Sequence, residues 1–248
     1  MVYLSAAACA TSPASRIIGG EPTTISRFPT VAQVEFLGTA SGIWTQSCAA
    51  SILNSNHVLS AAHCFHGMYN RRIRAGSTYR NTGGQVANVE IAFNHPTFGL
   101  NDMNGDISVV RLQTALEFGD NVERAVIVVH GFQVPPNFPA TMVGWGSTEL
   151  GGIPSNELRY TEVRTLNRIA CINIYKNQTV FRNVTGNMIC TQPWNEEGRD
   201  ACEGDFGGPL YFANVLVGIL SWGQNCGYLP TVSTAVSSYT NWIVGIVF

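Results

Sequence analysis

The chain has 248 residues, 45% hydrophobic and only 12% charged, with a formal net charge of −2. That is apolar material enough for a real core, and a charge balance that excludes nucleic acid and anionic membrane as electrostatic partners. No apolar run approaches the roughly 18 residues that span a bilayer, so no membrane role is expected. Residues 1–10 form a short apolar stretch closing on the small residues Ala8-Cys9-Ala10, which reads as a signal segment without a positive n-region. Short β-rich runs follow at 31–37, 58–61, 86–93, 107–112, 141–145, 158–166 and 215–222. Turn signals separate them, among them Asn54-Ser55-Asn56, Gly83-Gly84, Gly151-Gly152 and Gly207-Gly208. A proline-containing stretch at 131–139 divides the chain near its middle. One segment reads convincingly as helix: Tyr239, Trp242, Ile243 and Ile246 stand at i, i+3, i+4 and i+7, weakened by Gly245. Many short strands with one terminal helix predict all-β barrels.

Seven cysteines argue for an oxidising compartment. Six lie in the body of the chain, and Cys9 is left over at the start; removal of that segment makes the count even. Lys176 is the only lysine beside thirteen arginines. Two readings stay open: compositional bias, or life in an alkaline fluid where arginine keeps a charge that lysine loses.

Three segments carry chemistry. His63 closes Leu-Ser-Ala-Ala-His at 59–63, directly before Cys64. A lone histidine is ordinarily structural. Cys48, however, lies 16 residues before Cys64, and a bridge between them fixes the turn that carries His63, stabilising by about 3 kcal/mol for a loop of that size. Asp106 follows Gly105 at the start of an apolar run. Alone it reads as a turn residue; paired with His63 it suits the carboxylate that holds an imidazole tautomer in a Ser-His-Asp triad. The third segment is Arg-Asp-Ala-Cys-Glu-Gly-Asp-Phe-Gly-Gly-Pro at 199–209.

Together with Arg16-Ile17-Ile18-Gly19-Gly20, Gly144-Trp145-Gly146 and Ser221-Trp222-Gly223, these motifs resemble the trypsin branch of the chymotrypsin-like serine proteases. The likeness runs over nearly all of 17–246 and is strongest to insect digestive trypsins. It implies two packed six-stranded antiparallel β-barrels with a C-terminal helix and a cleft between the barrels. It also implies a signal and activation peptide at 1–16, an N-terminal barrel at 17–130 and a C-terminal barrel at 131–248. His63 and Asp106 become triad members, and the N–H groups of Gly204 and residue 206 an oxyanion hole. Asp200 becomes the base of the specificity pocket, with Ser221 and Gly223 as one wall. Cleavage after Arg16 would free the Ile17 ammonium to pair with Asp205. The remaining bridges become Cys171–Cys190 and Cys202–Cys226. The resemblance further implies a secreted, monomeric protein, with an insect gut lumen as a compatible alkaline setting.

Two positions depart from the family pattern. Gly-Asp-Ser-Gly-Gly-Pro is expected, but Phe206 stands where the serine should be. A phenyl ring has no lone pair to attack a carbonyl and no proton to pass to His63. In the opposite pocket wall a glycine is expected after the proline, and Thr231 follows Pro230. Its β-branched side chain narrows the slot toward Asp200. The leading expectation is therefore an inactive homologue that binds protein substrates or protease inhibitors. The alternatives are a working Arg/Lys-directed endopeptidase whose residue 206 is a sequence error or an allele, and a storage protein using the fold as inert mass. No cofactor or metal is expected: 75–89 lacks the acidic pair of a calcium loop, and no zinc set has sensible spacing. Asn177 and Asn183 open glycosylation sequons.

Overall fold

The computed structural model describes residues 20–67, 70–99, 103–178, 182–194, 204–224, 226 and 228–247. Fourteen strands are named: β1 (Glu21–Pro22), β2 (Val31–Leu37), β3 (Trp44–Ile52), β4 (His57–Ser60), β5 (Arg71–Ala75), β6 (Gln85–Asn94), β7 (Ser108–Leu112), β8 (Val126–Ile127), β9 (Pro139–Gly144), β10 (Arg159–Leu166), β11 (Met188–Pro193), β12 (Pro209–Phe212), β13 (Val215–Trp222) and β14 (Thr231–Ala235). Among the described residues two α-helices accompany them, α1 (Arg168–Lys176) and α2 (Thr240–Val247).

The first six-stranded barrel closes in the order β2-β3-β4-β7-β6-β5. The second runs β10-β11-β14-β13-β12-β9 and closes through the β9–β10 pair. β1 is added antiparallel to β10, and β8 is a two-residue parallel addition to β13. The expected pair of barrels with a terminal helix is observed. Closure removes the exposed edges of the barrel strands and turns one side of each inward. One apolar core runs through both barrels, from Val34, Ile52, Leu59 and Val110 to Val163, Leu210, Leu216 and Ile219. A smaller cluster around Tyr175, Cys190, Trp222 and Val232 lies under α1.

Several strands lack an apolar alternation in the sequence, for reasons the structure makes plain. β3 carries the small run Cys48, Ala49, Ala50 and Ser51, all buried, and Ala49 meets the second barrel through its N–H bond to the Phe206 carbonyl. β5 is rich in arginine, yet Arg74 is only 8% exposed. Its Nε donates to Glu35 Oε1 at 2.5 Å, and Arg72 Nε donates to Glu35 Oε2 at 2.5 Å. Glu35 itself is fully buried, so the strand's charges pair within the barrel instead of facing water.

The helix count expected from the sequence is corrected by α1. Only Cys171 and Tyr175, four residues apart, are buried in it. Asn167 caps it, its side-chain oxygen accepting from the N–H groups of Ile169 at 2.9 Å and Ala170 at 3.4 Å. A disulfide joins Cys171 to Cys190 and pins the helix to β11.

Candidate active site

His63 sits in a single 3-10 turn, Ala62–Phe65, directly after β4. The Cys48–Cys64 disulfide ties that turn to β3. Asp106 stands two residues before β7, which pairs with β4, so barrel closure brings the two side chains together across 43 positions. His63 Nδ1–H donates to Asp106 Oδ2 at 2.8 Å, and the His63 backbone N–H donates to Oδ1 at 2.8 Å. The imidazole is 29% exposed and the carboxylate fully buried. A third donor, Ser221 Oγ, reaches Oδ2 at 2.5 Å from β13 of the second barrel. Thr234 Oγ1, on β14, holds the Asp106 backbone carbonyl at 2.8 Å. A carboxylate that accepts from three donors and meets no solvent is held in one orientation, and it fixes the imidazole as the Nδ1–H tautomer. The Nε2 atom lies 3.5 Å from Cys64 Sγ.

Phe206 faces this pair from the turn that leads into β12. Its ring meets the His63 ring edge-on, with centroids 5.9 Å apart and planes at 75°. The same ring packs against the main apolar core. The turn is pressed onto β3: the Phe206 carbonyl accepts from Ala49 N–H at 2.9 Å. Gly207, at φ +81°, has no space for a side chain, since a β-carbon there would lie 2.2 Å from Ser60 Oγ and 2.5 Å from the Ala49 carbonyl oxygen. Gly204 also has a left-handed backbone, φ +99°. The Gly204 carbonyl accepts from Gln46 Nε2 at 2.7 Å. Asp205 Oδ1 accepts from Gly146 N–H at 2.7 Å. Arg16 and Ile17, the expected activation pair, lie outside the described residues.

Gly223 and Thr231, the residues expected to flank the pocket, stand face to face. A β-carbon on Gly223 would lie 3.4 Å from Thr231 Oγ1, which is van der Waals contact. Thr231 is 2% exposed, and its carbonyl accepts from Thr191 Oγ1 at 3.3 Å. Asp200 lies outside the described residues. So does Cys202, the partner implied for Cys226, which is itself disulfide-bonded. Asn177 and Asn183 are both exposed. Cys48, His63 and Cys64 bring ligand-type atoms within 4.8 Å of one another, but both sulfurs are consumed in a disulfide and offer no thiolate.

Sequence reasoning placed Ser221 in the pocket wall and did not foresee its bond to Asp106. It also missed Thr234 and Gln46, whose partners lie 128 and 158 positions away. No local pattern signals pairs so far apart.

Residues 17–243 match the family model described as Trypsin. The chain is 38% identical over 249 residues to "Trypsin, alkaline B" of Manduca sexta, covering 98% of this chain and 96% of that protein. It is 37% identical over 232 residues to "Trypsin CFT-1" of Choristoneura fumiferana, covering 92% and 90%. It is 36% identical over 237 residues to "Trypsin alpha" of Drosophila melanogaster, covering 92% and 86%. Among the described residues no helix is long and apolar enough to cross a membrane.

Proposed function

The chain belongs to the trypsin family, and on that premise we propose that it is a secreted homologue that does not cleave peptides, because Phe206 replaces the nucleophile. The observation that carries this reading is the edge-on contact of Phe206 with His63. Acylation needs an oxygen that forms a bond to the scissile carbonyl carbon while its proton passes to the imidazole Nε2. At residue 206 a hydrocarbon ring stands in that place, and it occupies space that the carbonyl requires. His63, Asp106 and Ser221 keep the geometry of a general base with its orienting carboxylate, so within the triad the loss is confined to the nucleophile. The N–H groups of Gly204 and Phe206 remain as oxyanion donors in this reading.

The proposed role is binding of protein substrates or protease inhibitors by a monomer. Residues 1–16 serve as signal and activation peptide, ahead of barrels at 17–130 and 131–248. Cleavage after Arg16 lets Ile17 pair with Asp205, and Cys202 bridges Cys226. Asp200 forms the pocket base, and Thr231, whose Oγ1 lies 3.4 Å from where a β-carbon on Gly223 would stand, narrows the slot toward it. The "alkaline" in the relatives' names and the single lysine support an alkaline gut lumen as its setting.

The test is amidolysis of an arginine chromogenic peptide by the chain cleaved after Arg16, beside Phe206→Ser and Phe206→Ser/Thr231→Gly. The expected result is no activity in the parent and recovery in the variants. Robust parental activity, free of contaminating protease, overturns the reading. It would favour the second one, a working endopeptidase, which the intact His63–Asp106–Ser221 network and the relatives' names support.

A further inference from the structure

We propose that Gln46 is a positioning residue for the 204–208 turn, and that Arg80 sets which way its amide points. The proposal rests on reading that turn as the carrier of the oxyanion donors.

Gln46 lies on β3 and is 1% exposed. Its Nε2 donates to the Gly204 carbonyl at 2.7 Å and to the Cys48 carbonyl at 3.1 Å. Its Oε1 accepts from Arg80 Nε at 2.9 Å, and the Gln46 backbone carbonyl accepts from Arg80 NH2 at 3.1 Å. The backbone N–H donates to Asn81 Oδ1 at 2.7 Å. A guanidinium has donors only, so the amide oxygen must face Arg80. Turning the amide over would set its NH2 against the guanidinium and its oxygen against two carbonyls. Arg80 therefore guarantees that a donor, and not an acceptor, is aimed at Gly204. Arg80 is held in turn by its backbone N–H, which donates to the Asn156 carbonyl at 2.8 Å.

The turn needs such a pin because Gly204, with no β-carbon and a left-handed backbone, allows the Gly204–Asp205 peptide to rotate cheaply. Rotation of that peptide changes ψ of Gly204 and φ of Asp205 and swings the Asp205 N–H; where the two changes do not compensate, the chain direction changes and re-aims the Gly204 and Phe206 N–H groups on either side. The neighbouring groups are already tied: Phe206 O to Ala49 N–H, Asp205 O to Gly208 N–H, and Gly207 N–H to Leu220 O. Gln46 supplies the side-chain donor for the Gly204 carbonyl. β3 thus carries three ties, from residues 46, 48 and 49: those of Gln46 and Ala49 reach the 204–208 turn of the second barrel, and the disulfide of Cys48 holds the His63 turn of its own barrel.

The discriminating variant is Gln46→Glu at pH 8. It has nearly the same shape and still accepts from Arg80, but it has no donor for Gly204. Amide hydrogen exchange in the otherwise unaltered chain is the primary readout. Exchange at Gly207, Gly208 and Ala49 is expected to rise about tenfold, with Val109 and Val110 in β7 unchanged. Arg80→Met leaves Gln46 in place and frees its orientation, so it should raise the same three amides by a smaller factor; it also decides the matter if Gln46→Glu does not fold. In a Phe206→Ser chain, Gln46→Glu is expected to lower kcat about tenfold with KM held within about twofold, as loss of oxyanion alignment requires. Unchanged exchange at the turn in both variants overturns the role of Gln46. A silent Phe206→Ser chain counts against the proposed function instead, and the exchange measurement still judges Gln46.

Discussion

The Phe206 ring stands edge-on to the His63 imidazole, 5.9 Å between centroids, and shares the apolar core with residues of both barrels. It therefore contributes packing that a hydroxymethyl cannot. Phe206→Ala is expected to lower unfolding free energy by about 2 kcal/mol, roughly half the cost of removing a fully buried phenylalanine. Urea denaturation measures it. An unchanged midpoint would mean that the ring makes no useful contact.

Glu35 is fully buried between Arg72 and Arg74, with both guanidinium Nε atoms at 2.5 Å. Removing the acid strands a cation that is itself mostly buried. Glu35→Gln is expected to destabilise by about 3–5 kcal/mol, since it breaks a buried pair from one side. Simultaneous replacement of Glu35 and Arg74 by apolar residues should cost less than Glu35→Gln alone. Thermal denaturation of the three chains checks the order.

Tyr211 links stability to alkaline pH. Burial pushes its phenol up to about 12, against a smaller opposing effect of the bond to Thr30 Oγ1 at 2.5 Å. The unfolded phenol ionises near 10, so the folded chain holds the proton more tightly. This stabilisation, about 3 kcal/mol, is complete below about pH 10 and disappears as pH rises through about 12. Tyr211→Phe should flatten the fall in stability across that window. Tyr239, whose phenol burial also raises, should leave a residual slope. Unfolding followed from pH 9 to 12 gives the comparison.

The Cys48–Cys64 bridge closes a 16-residue separation and ties β3 to the turn carrying His63. Replacing both cysteines by alanine is expected to cost about 3 kcal/mol. In a Phe206→Ser chain it should also lower kcat, because the imidazole loses its anchor to β3. A stability loss with kcat intact would separate the bridge from the geometry of the cleft.

Strands with ordinary β chemistry were legible in the chain: 31–37 and 215–222 coincide with β2 and β13, and 158–166 with β10 to within a residue. β3 and β5 were not, because small residues and arginines ordinarily mark loops and surface. Their burial arises only when barrel closure supplies a tight interface for Ala49 and a carboxylate for Arg74. α1 was hidden for a related reason: Ile169 is 64% exposed, so the helix has no continuous apolar stripe. Its one local signal, the Asn167 cap, is common in turns as well.

What the sequence determined by itself is covalent and local. It contains the motifs around His63, Asp106 and residue 206, and it has no hydroxyl at 206, which no folding can restore. The tertiary structure alone decided who meets whom. Ser221 reaches Asp106 across 115 positions, Gln46 reaches Gly204 across 158, and Phe206 lands on His63. Such contacts depend on strand register and on the closure of two barrels against each other. Those follow from the summed burial of the whole chain and leave no mark in any short stretch of it.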